Sequence, residues 1–405
     1  MNSDGRSISP FNPQQPVDPD FFVGRDDSIK RVLHRAQESI NGNLRIIYLA
    51  GKKGIGKTSL AHYCRLCIEK ELGAIGFHVF LHGDSGPRTL KDFTYTTVER
   101  IIKSRSNEAS VMSLIEKIFK KFILEVKVGG VTIKHKELNE FVPNNIPTFY
   151  DFLRNLDTEL HKKDKSRGVV LILDELDFVA SEQYFVDLLK GGSDIAGVDG
   201  KKDNILIILC GTIDVFHNMV SKVKRVGDII DLIEIRRLSE KEVIEFYKRS
   251  FSYLSIAITQ GGLSVLKQFV DGIPQLMHLI GEETYLNNHQ DRAINKREAF
   301  IGVRAAAEVW GKKYLKEKIH KLFYNPKYAP ILKIFQSNIN IELKFSENQI
   351  LNNLIVKDED VLFEFLKALE ALNVIHKHKD DDDEYWVFND RLLSLYFQVP
   401  HENIY

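Results

Sequence analysis

Cysteine is scarce in this chain, with three among 405 residues. So small and odd a number argues against a disulfide framework and favours a reducing compartment. Neither sign of charge is in excess, because 56 Lys and Arg balance 56 Asp and Glu, so total charge indicates no class of partner. No run of about 18 apolar residues occurs, and residues 1–20 contain no apolar targeting segment. These absences predict a soluble, cytoplasmic protein that does not enter a membrane.

The length of the chain bounds its organisation. A chain of 405 residues exceeds what one hydrophobic core usually serves, so two or three domains are expected. Residues 1–20 are rich in Pro, Ser and Asn and are predicted to form a flexible N-terminal tail.

A glycine-rich loop follows an apolar segment at residues 45–50. Residues 51–58 read Gly-Lys-Lys-Gly-Ile-Gly-Lys-Thr and match G-x-x-x-x-G-K-[ST] in full. Glycines let successive backbone N–H groups converge on phosphate oxygens, and the helix that follows adds its dipole. Lys57 is expected to reach the β- and γ-phosphates, and Thr58 to offer its hydroxyl to Mg²⁺. The predicted cofactors are therefore ATP and Mg²⁺, bound by Gly51, Gly54, Ile55, Gly56, Lys57, Thr58 and Ser59.

A second apolar segment, residues 169–173, ends in an acidic pair. Its continuous apolar character is typical of a strand that is covered on both faces. At the end of such a strand Asp174 would hold Mg²⁺, and Glu175 would orient and deprotonate the attacking water. An ordinary charged turn is the alternative.

Three further strand candidates, residues 76–81, 204–210 and 229–235, alternate with helical segments. Such alternation predicts an α/β fold with a parallel sheet and ligands at the carboxyl ends of its strands. Thr212 follows the 204–210 segment and is a candidate sensor of the γ-phosphate, although an ordinary turn explains it equally well.

Residues 22–26 (Phe-Val-Gly-Arg-Asp), 239–242 (Ser-Glu-Lys-Glu) and 271–275 (Asp-Gly-Ile-Pro-Gln) resemble motifs of AAA+ initiator-type ATPases and of the related STAND NTPases, including the archaeal-ATPase group. The resemblance implies that Gly24 and Arg25 lie against the adenine and that Pro274 approaches the base. Residues 239 to about 320 are predicted to be helical, and the last eighty residues have the predicted order helix, helix, helix, strand, turn, strand, which is that of a winged helix. With the resemblance, these patterns predict three domains: a P-loop AAA+ core at 21–238, an α-helical lid at 239–325 and a C-terminal winged helix at 326–405.

The same resemblance bears on assembly. These proteins place a trans-acting arginine between the fourth and fifth strands, where Arg225 stands here. Arg225 is therefore the candidate arginine finger of a homo-oligomer, and a basic helix end is the alternative. The helix predicted to begin at Pro274 lacks the lid arginine of initiator-type proteins, which favours the STAND group.

Two segments bear on partners. The insertion at about 100–150 contains a predicted β-hairpin, residues 122–135, either a contact element or a decoration of the core. From Lys327 onward the chain carries 8 Lys and Arg against 14 Asp and Glu. The predicted third helix of the winged helix is acidic, and four aspartates (380–383) interrupt its predicted wing, HKHKDDDDEYWVF. DNA binding through that face would bring like charges together.

Three hypotheses follow. The first is an ATP-hydrolysing molecular switch that oligomerises and signals to or scaffolds a protein partner, with a prokaryotic defence or stress role suggested only by family analogy. The second is an initiator- or loader-like ATPase that binds DNA through lysines at 312–321 or the 122–135 hairpin. The third is a protein that holds ATP with slow or no turnover.

Overall fold

The computed structural model describes residues 9–81, 87, 89–104, 113, 118, 146–198, 202–222, 224–288, 293–315, 322–323, 325–337, 343–380 and 383–399. They form two compact units. We call Gly24–Arg236 the sheet unit, and Met1–Val23 together with Arg237–Tyr405 the helical unit. None of the helices described is long and apolar enough to cross a membrane.

The described residues of the sheet unit form a sheet of five parallel strands in the order β2-β3-β4-β1-β5. The two strands β3 and β4 are buried along their whole length, because helices cover both faces of the sheet. The predicted α/β fold with a parallel sheet is confirmed. The strands are β1 (Arg45–Ala50), β2 (Ile75–Phe80), β3 (Val169–Asp174), β4 (Ile205–Gly211) and β5 (Ile230–Glu234).

Helices connect these strands. Between β2 and β3 the structure describes two long helices, α3 and α4, and the predicted hairpin at 122–135 lies outside the described residues. The helices of the sheet unit are α1 (Asp26–Ser39), α2 (Lys57–Cys67), α3 (Leu90–Ser104), α4 (Ile146–Asp164), α5 (Gln183–Val198), α6 (Ile213–Lys222) and α7 (Lys224–Ile229).

Between Arg237 and Leu315, the described residues of the helical unit form four α-helices and a two-stranded parallel pair. Ser239 and Glu242 form a reciprocal capping box that starts α8, which the spacing of these two residues predicts. The elements are α8 (Glu240–Tyr253), β6 (Ala257–Ile258), α9 (Gln260–Val270), α10 (Pro274–Asn287), β7 (Ala293–Ile294) and α11 (Lys296–Leu315).

The C-terminal part of the helical unit carries a three-stranded antiparallel sheet in the order β8-β10-β9. The two strands predicted from HKHKDDDDEYWVF are present as β9 and β10, whereas Asp381 and Asp382 lie outside the described residues. The elements are α12 (Ala329–Ser337), β8 (Lys344–Phe345), α13 (Glu347–Leu351), α14 (Glu359–Ala371), β9 (Ile375–Asp380), β10 (Asp383–Phe388) and α15 (Arg391–Gln398).

The regions predicted as lid and C-terminal domain share one hydrophobic core. Helix α11 packs against α15 so closely that a Cβ on Gly311 would lie 2.4 Å from the ring of Tyr396. Nearby, Trp310 Nε1 donates a hydrogen bond to Asp390 Oδ2 at 3.1 Å. A shared core makes the two regions a single compact unit.

From residue 9 onward, the described N-terminal segment contacts the rest of the helical unit through Phe11 and Asn12. This finding corrects the prediction of a flexible tail over residues 1–20. Phe11 is 2% exposed, with its ring 5.0 Å from that of Phe251. Gly281 provides the space that the Phe11 ring occupies, because a Cβ on Gly281 would lie 2.4 Å from that ring. Asn12 N donates to His278 Nδ1 at 3.0 Å, and burial lowers the pKa of His278 to about 4, which keeps the acceptor neutral. Because residues 1–20 are mostly polar, their composition did not indicate that Phe11 is buried.

Replacing Phe11 with alanine is expected to lower the free energy of unfolding of the helical unit by about 3–5 kcal/mol, because a buried aromatic ring is lost and a cavity remains. Thermal and urea unfolding of the full chain measure the change. Gln14→Ala is the matched control, since Gln14 is an exposed neighbour in the same segment. An unfolding midpoint for Phe11→Ala equal to that of the control would show that the segment does not stabilise the unit.

Candidate functional site

The loop between β1 and α2 requires glycine at three places. Gly54 has φ 79° and Gly56 has φ 95°, both in the left-handed region that side chains disfavour. Gly51 needs the space instead, because a Cβ there would lie 2.8 Å from Cγ2 of Ile55. The loop therefore turns tightly and leads directly into α2. At the N-terminus of this helix, backbone N–H groups and the helix dipole attract anions.

Lys57 is the first residue of α2, and its ammonium lies back over the loop. Its Nζ donates to Gly51 O at 2.9 Å and to Lys52 O at 3.1 Å. Burial lowers the pKa of Lys57, while the carboxylate of Asp174 acts in the opposite direction. A poorly solvated cation at this position favours an anionic ligand. Thr58 and Ser59 follow in the first turn of the helix and are half-buried.

Arg25 links this loop to the segment that follows β5, the strand next to β1. Gly24 and Arg25 both have positive φ, 66° and 69°, and Arg25 stands at the N-cap of α1. The guanidinium donates from Nη2 to Ile55 O at 3.1 Å and from Nη1 to Arg236 O. Arg25 thus holds the glycine loop against the end of β5. The contact of Gly24 and Arg25 with adenine stays a prediction.

Asp174 ends β3, in register with Cys210 of β4. The residue is 2% exposed, and both carboxylate oxygens have partners. Oδ1 accepts from Glu175 N at 2.9 Å, and Oδ2 lies 3.2 Å from Nε2 of His78. Strands β1 and β3 lie on either side of β4. The glycine loop and Asp174 therefore both lie at the carboxyl ends of the parallel strands, about 10 Å apart at ordinary strand spacing.

Glu175 adopts a left-handed backbone conformation, with φ 60° and ψ 56°, and its side chain is exposed. This conformation costs a residue other than glycine about 1–3 kcal/mol, and such strain concentrates at functional sites. A bend at Glu175 ends the strand and starts the short helical turn Leu176–Phe178. An exposed carboxylate thus follows directly after the buried Asp174.

The end of β4 is held by a tyrosine that the sequence patterns did not single out. Tyr48, in the middle of β1, donates from its hydroxyl to Thr212 O at 2.9 Å. The Thr212 hydroxyl accepts from Val215 N at 3.3 Å and so caps α6. A Cβ at Gly211 would lie 2.1 Å from the Tyr48 hydroxyl, so only glycine fits there. Thr212 follows the carboxyl end of β4, beside the end of β3 that carries Asp174. Its role as a sensor stays a prediction.

Two further predicted site residues, Arg225 and Pro274, have predicted roles that no described contact tests. Arg225 belongs to α7, but its side chain lies outside what the structure describes. Pro274 is the first residue of α10 in the helical unit. The predicted roles of Arg225 as an arginine finger and of Pro274 near the base therefore stay predictions.

Tyr48 and His78 are the polar residues that sequence reasoning missed. Each is a polar residue in a mostly apolar strand, and this was the signal that could have identified it: RIIYLA for β1 and IGFHVF for β2.

Among the described residues, no group of three or more His, Cys, Asp or Glu side chains is arranged to hold a metal ion. A hydroxyl and one or two carboxylates suit Mg²⁺, which prefers oxygen ligands and completes its shell with water and phosphates. The residues present fit ATP with Mg²⁺.

Comparison with known proteins identifies the fold. Neither a protein-family model nor a curated protein matches this sequence. Among solved structures, a Walker-type ATPase of Pyrococcus abyssi is 17% identical, with a TM-score of 0.53 over 93% of this chain and 96% of that one. The ORC2 protein of Aeropyrum pernix, solved with ADPNP and ADP, is 13% identical, with a TM-score of 0.52 over 97% of this chain and 95% of that one. The chain therefore has the same fold as this Walker-type ATPase and this ORC2 protein, with a glycine loop in a parallel α/β core.

Proposed function

We propose that the protein binds ATP with Mg²⁺ and hydrolyses it. The observation that carries the proposal is the convergence of a complete phosphate-binding loop and the Asp174–Glu175 pair at one edge of a parallel sheet. A loop of this kind binds phosphates, and an acidic strand end beside it supplies a metal ligand and a base. The likeness to a Walker-type ATPase and to a protein solved with ADPNP and ADP supports the same function.

Each residue has a defined task in this proposal. Bound Mg²⁺ would neutralise phosphate charge; Thr58 and Asp174 would hold it. Lys57 binds the β- and γ-phosphates, and Glu175 orients a water molecule and accepts its proton. Arg225, acting from a neighbouring copy in a homo-oligomer, would stabilise charge on the transferred group.

Thr212 and the base-contacting residues complete the proposed site. Thr212 would sense the γ-phosphate from the end of β4, and Gly24, Arg25 and Pro274 would contact the adenine side of the nucleotide. The Thr212 hydroxyl accepts a hydrogen bond from Val215 N, and its own O–H stays available to donate to a phosphate oxygen. A phosphate contact would therefore link the nucleotide to the residue that caps α6.

Phosphate release from ATP by the purified full chain tests the proposal directly. Release is expected in the presence of Mg²⁺ and is expected to stop when EDTA removes the metal, because Thr58 and Asp174 act through it. Saturable, Mg²⁺-dependent turnover would support the function. Tight ATP binding without any phosphate release would favour a nucleotide-holding switch instead.

We propose that nucleotide state is passed to a protein partner through a C-terminal winged helix, α12 to α15, and that its α14 face is the contact surface. Asp358, Glu359 and Asp360 are exposed at the start of α14, a poor match for phosphates. Beside this acidic turn Ile355 is fully exposed, and Phe363 on α14 is 52% exposed. Exposed apolar side chains within an acidic surface suit a protein surface better than a duplex.

An initiator-like ATPase acting on DNA is the second candidate. The likeness to an ORC2 protein favours it, as do Lys312 and Lys313, which are exposed at the end of α11. Lys312 pairs with Glu308 at 3.6 Å, so its charge is partly matched within the helix.

Duplex binding at several salt concentrations separates the two candidates. If the protein acts on DNA through α11, binding is expected to weaken steeply with salt, and reversing Lys312 and Lys313 to Glu is expected to reduce affinity at least tenfold. Lys241→Glu with Lys248→Glu is the matched control, because both residues are exposed on α8. Equal effects of the two double variants, or no duplex binding by the unaltered protein, would exclude this use of α11.

A further inference from the structure

His78 occupies an unusual place beside the acidic end of β3. It lies on β2, the edge strand that pairs with β3, and its side chain is 12% exposed. Its Nε2 lies 3.2 Å from Oδ2 of Asp174. Because an ionised carboxylate can only accept a hydrogen bond, Nε2 carries the proton in this contact. None of the roles proposed above uses this histidine.

The ring of His78 is held in one orientation. Phe80, two residues further along the same strand, stacks on it with ring centroids 4.4 Å apart and an interplanar angle of 16°. Residues two apart on a strand share one face of the sheet, so the Phe80 ring packs against the face of the imidazole. A supported ring directs its N–H at a constant angle, which a free side chain would not do.

Together these contacts fix the carboxylate of Asp174 from both sides. Oδ1 accepts from Glu175 N at 2.9 Å, and Oδ2 is held by His78. Rotation of the carboxylate would break one or both hydrogen bonds. Each oxygen has two lone-pair sites, so one site on each stays available to a further ligand. The direction of those remaining sites is therefore set by His78 and by the Glu175 backbone.

We propose that His78 is the positioning residue of Asp174 and sets the affinity of the nucleotide site for Mg²⁺. The inference rests on the proposed function, because it assumes that Asp174 faces the metal bound with ATP. Histidine in this role resembles the outer-shell partners of metal ligands in other proteins, whose loss usually weakens metal binding about 10- to 100-fold. Here the donor comes from a neighbouring strand rather than from the motif that carries the ligand.

Two substitutions separate hydrogen bonding from packing. His78→Phe keeps a ring that can stack on Phe80 but removes the donor. His78→Gln loses the stacked ring but offers an amide N–H at a similar distance along the side chain. His62→Phe is the matched control, because His62 lies on the neighbouring α2, where its Nδ1 is 3.5 Å from Arg65 Nη2. Thermal unfolding of each variant shows whether the fold is retained.

The measurement is Mg²⁺ affinity at equilibrium, independent of turnover. A fluorescent ADP analogue is bound first, its affinity without metal is recorded, and Mg²⁺ is then titrated. Mn²⁺ binding followed by electron paramagnetic resonance gives a second readout. For His78→Phe we expect metal affinity to fall about tenfold, with ADP affinity in the absence of metal unchanged within twofold. His78→Gln is expected to recover part of the loss, and His62→Phe to match the unaltered protein.

Specific results would overturn the inference. If His78→Phe binds Mg²⁺ as tightly as the unaltered protein while Asp174→Asn binds it weakly, His78 does not position the ligand. If His78→Gln loses as much affinity as His78→Phe, the residue acts through packing alone. If Mg²⁺ has no effect on nucleotide binding in either the unaltered protein or Asp174→Asn, the proposed function fails, and this inference fails with it.

Discussion

Replacing Glu175 with glutamine is expected to stop ATP hydrolysis while ATP binding persists. Glutamine keeps the size and hydrogen-bonding reach of the side chain but cannot accept the proton of the attacking water. General-base catalysis contributes about 10²- to 10⁴-fold, so the turnover rate is expected to fall by at least about 100-fold. Single-turnover phosphate release measures the rate, and a fluorescent ATP analogue measures the dissociation constant, which is expected to change less than threefold.

The acidic turn offers its own control for this experiment. Asp177 is also exposed and lies two residues beyond Glu175, so Asp177→Asn removes a nearby charge without touching the proposed base. Turnover by this control is expected to stay within a factor of three of the unaltered protein. A Glu175→Gln protein that hydrolyses ATP as fast as the control would assign the base to another residue. The same variant, if it keeps ATP bound, is suited to trapping an ATP-dependent oligomer or partner.

Replacing Lys57 with alanine is expected to remove ATP binding and turnover together. Its ammonium is partly desolvated, and burial lowers its pKa, so the phosphates of ATP would be its natural counter-charge. Truncating one member of such a charge pair costs about 2–5 kcal/mol, which corresponds to at least about thirtyfold weaker binding. Titration with a fluorescent ATP analogue measures the affinity. The rise in melting temperature on adding ATP, which reports the same equilibrium, is expected to vanish.

Lys53→Ala is the matched control, because Lys53 lies in the same loop with its side chain exposed. Both variants remove one positive charge from the loop, so a purely long-range electrostatic effect would weaken binding equally. We expect Lys53→Ala to retain affinity within threefold. Equal losses in the two variants would contradict a direct contact between Lys57 and the phosphates.

The phosphate-binding loop and the acidic strand end were predictable from the sequence because each is a local pattern. A strand, a glycine turn and a helix start are contiguous at residues 45–67, and the spacing of glycines reflects backbone conformations that only glycine adopts easily. The apolar run of β3 followed by two acids is equally local. Parallel pairing then brings the two patterns to one edge, since all carboxyl ends of a parallel sheet lie together.

Other features depended on contacts between residues far apart in the chain. Phe11 stands in a polar segment, and only the aromatic cluster around Phe251 and the space above Gly281 make it an anchor. The core shared by α11 and α15 could not be read from either helix, because an apolar stripe indicates burial but not the partner that buries it.

What the sequence by itself determined was the parallel α/β core, the glycine loop with Lys57 and Thr58, and the acidic residues Asp174 and Glu175, because short-range backbone and side-chain requirements encode each of them. Only the tertiary structure decided that His78 holds the carboxylate of Asp174. That pairing depends on strand order and register, which place residues 96 positions apart within 3.2 Å. Register is set by the packing of the whole sheet, so no local pattern could reveal it.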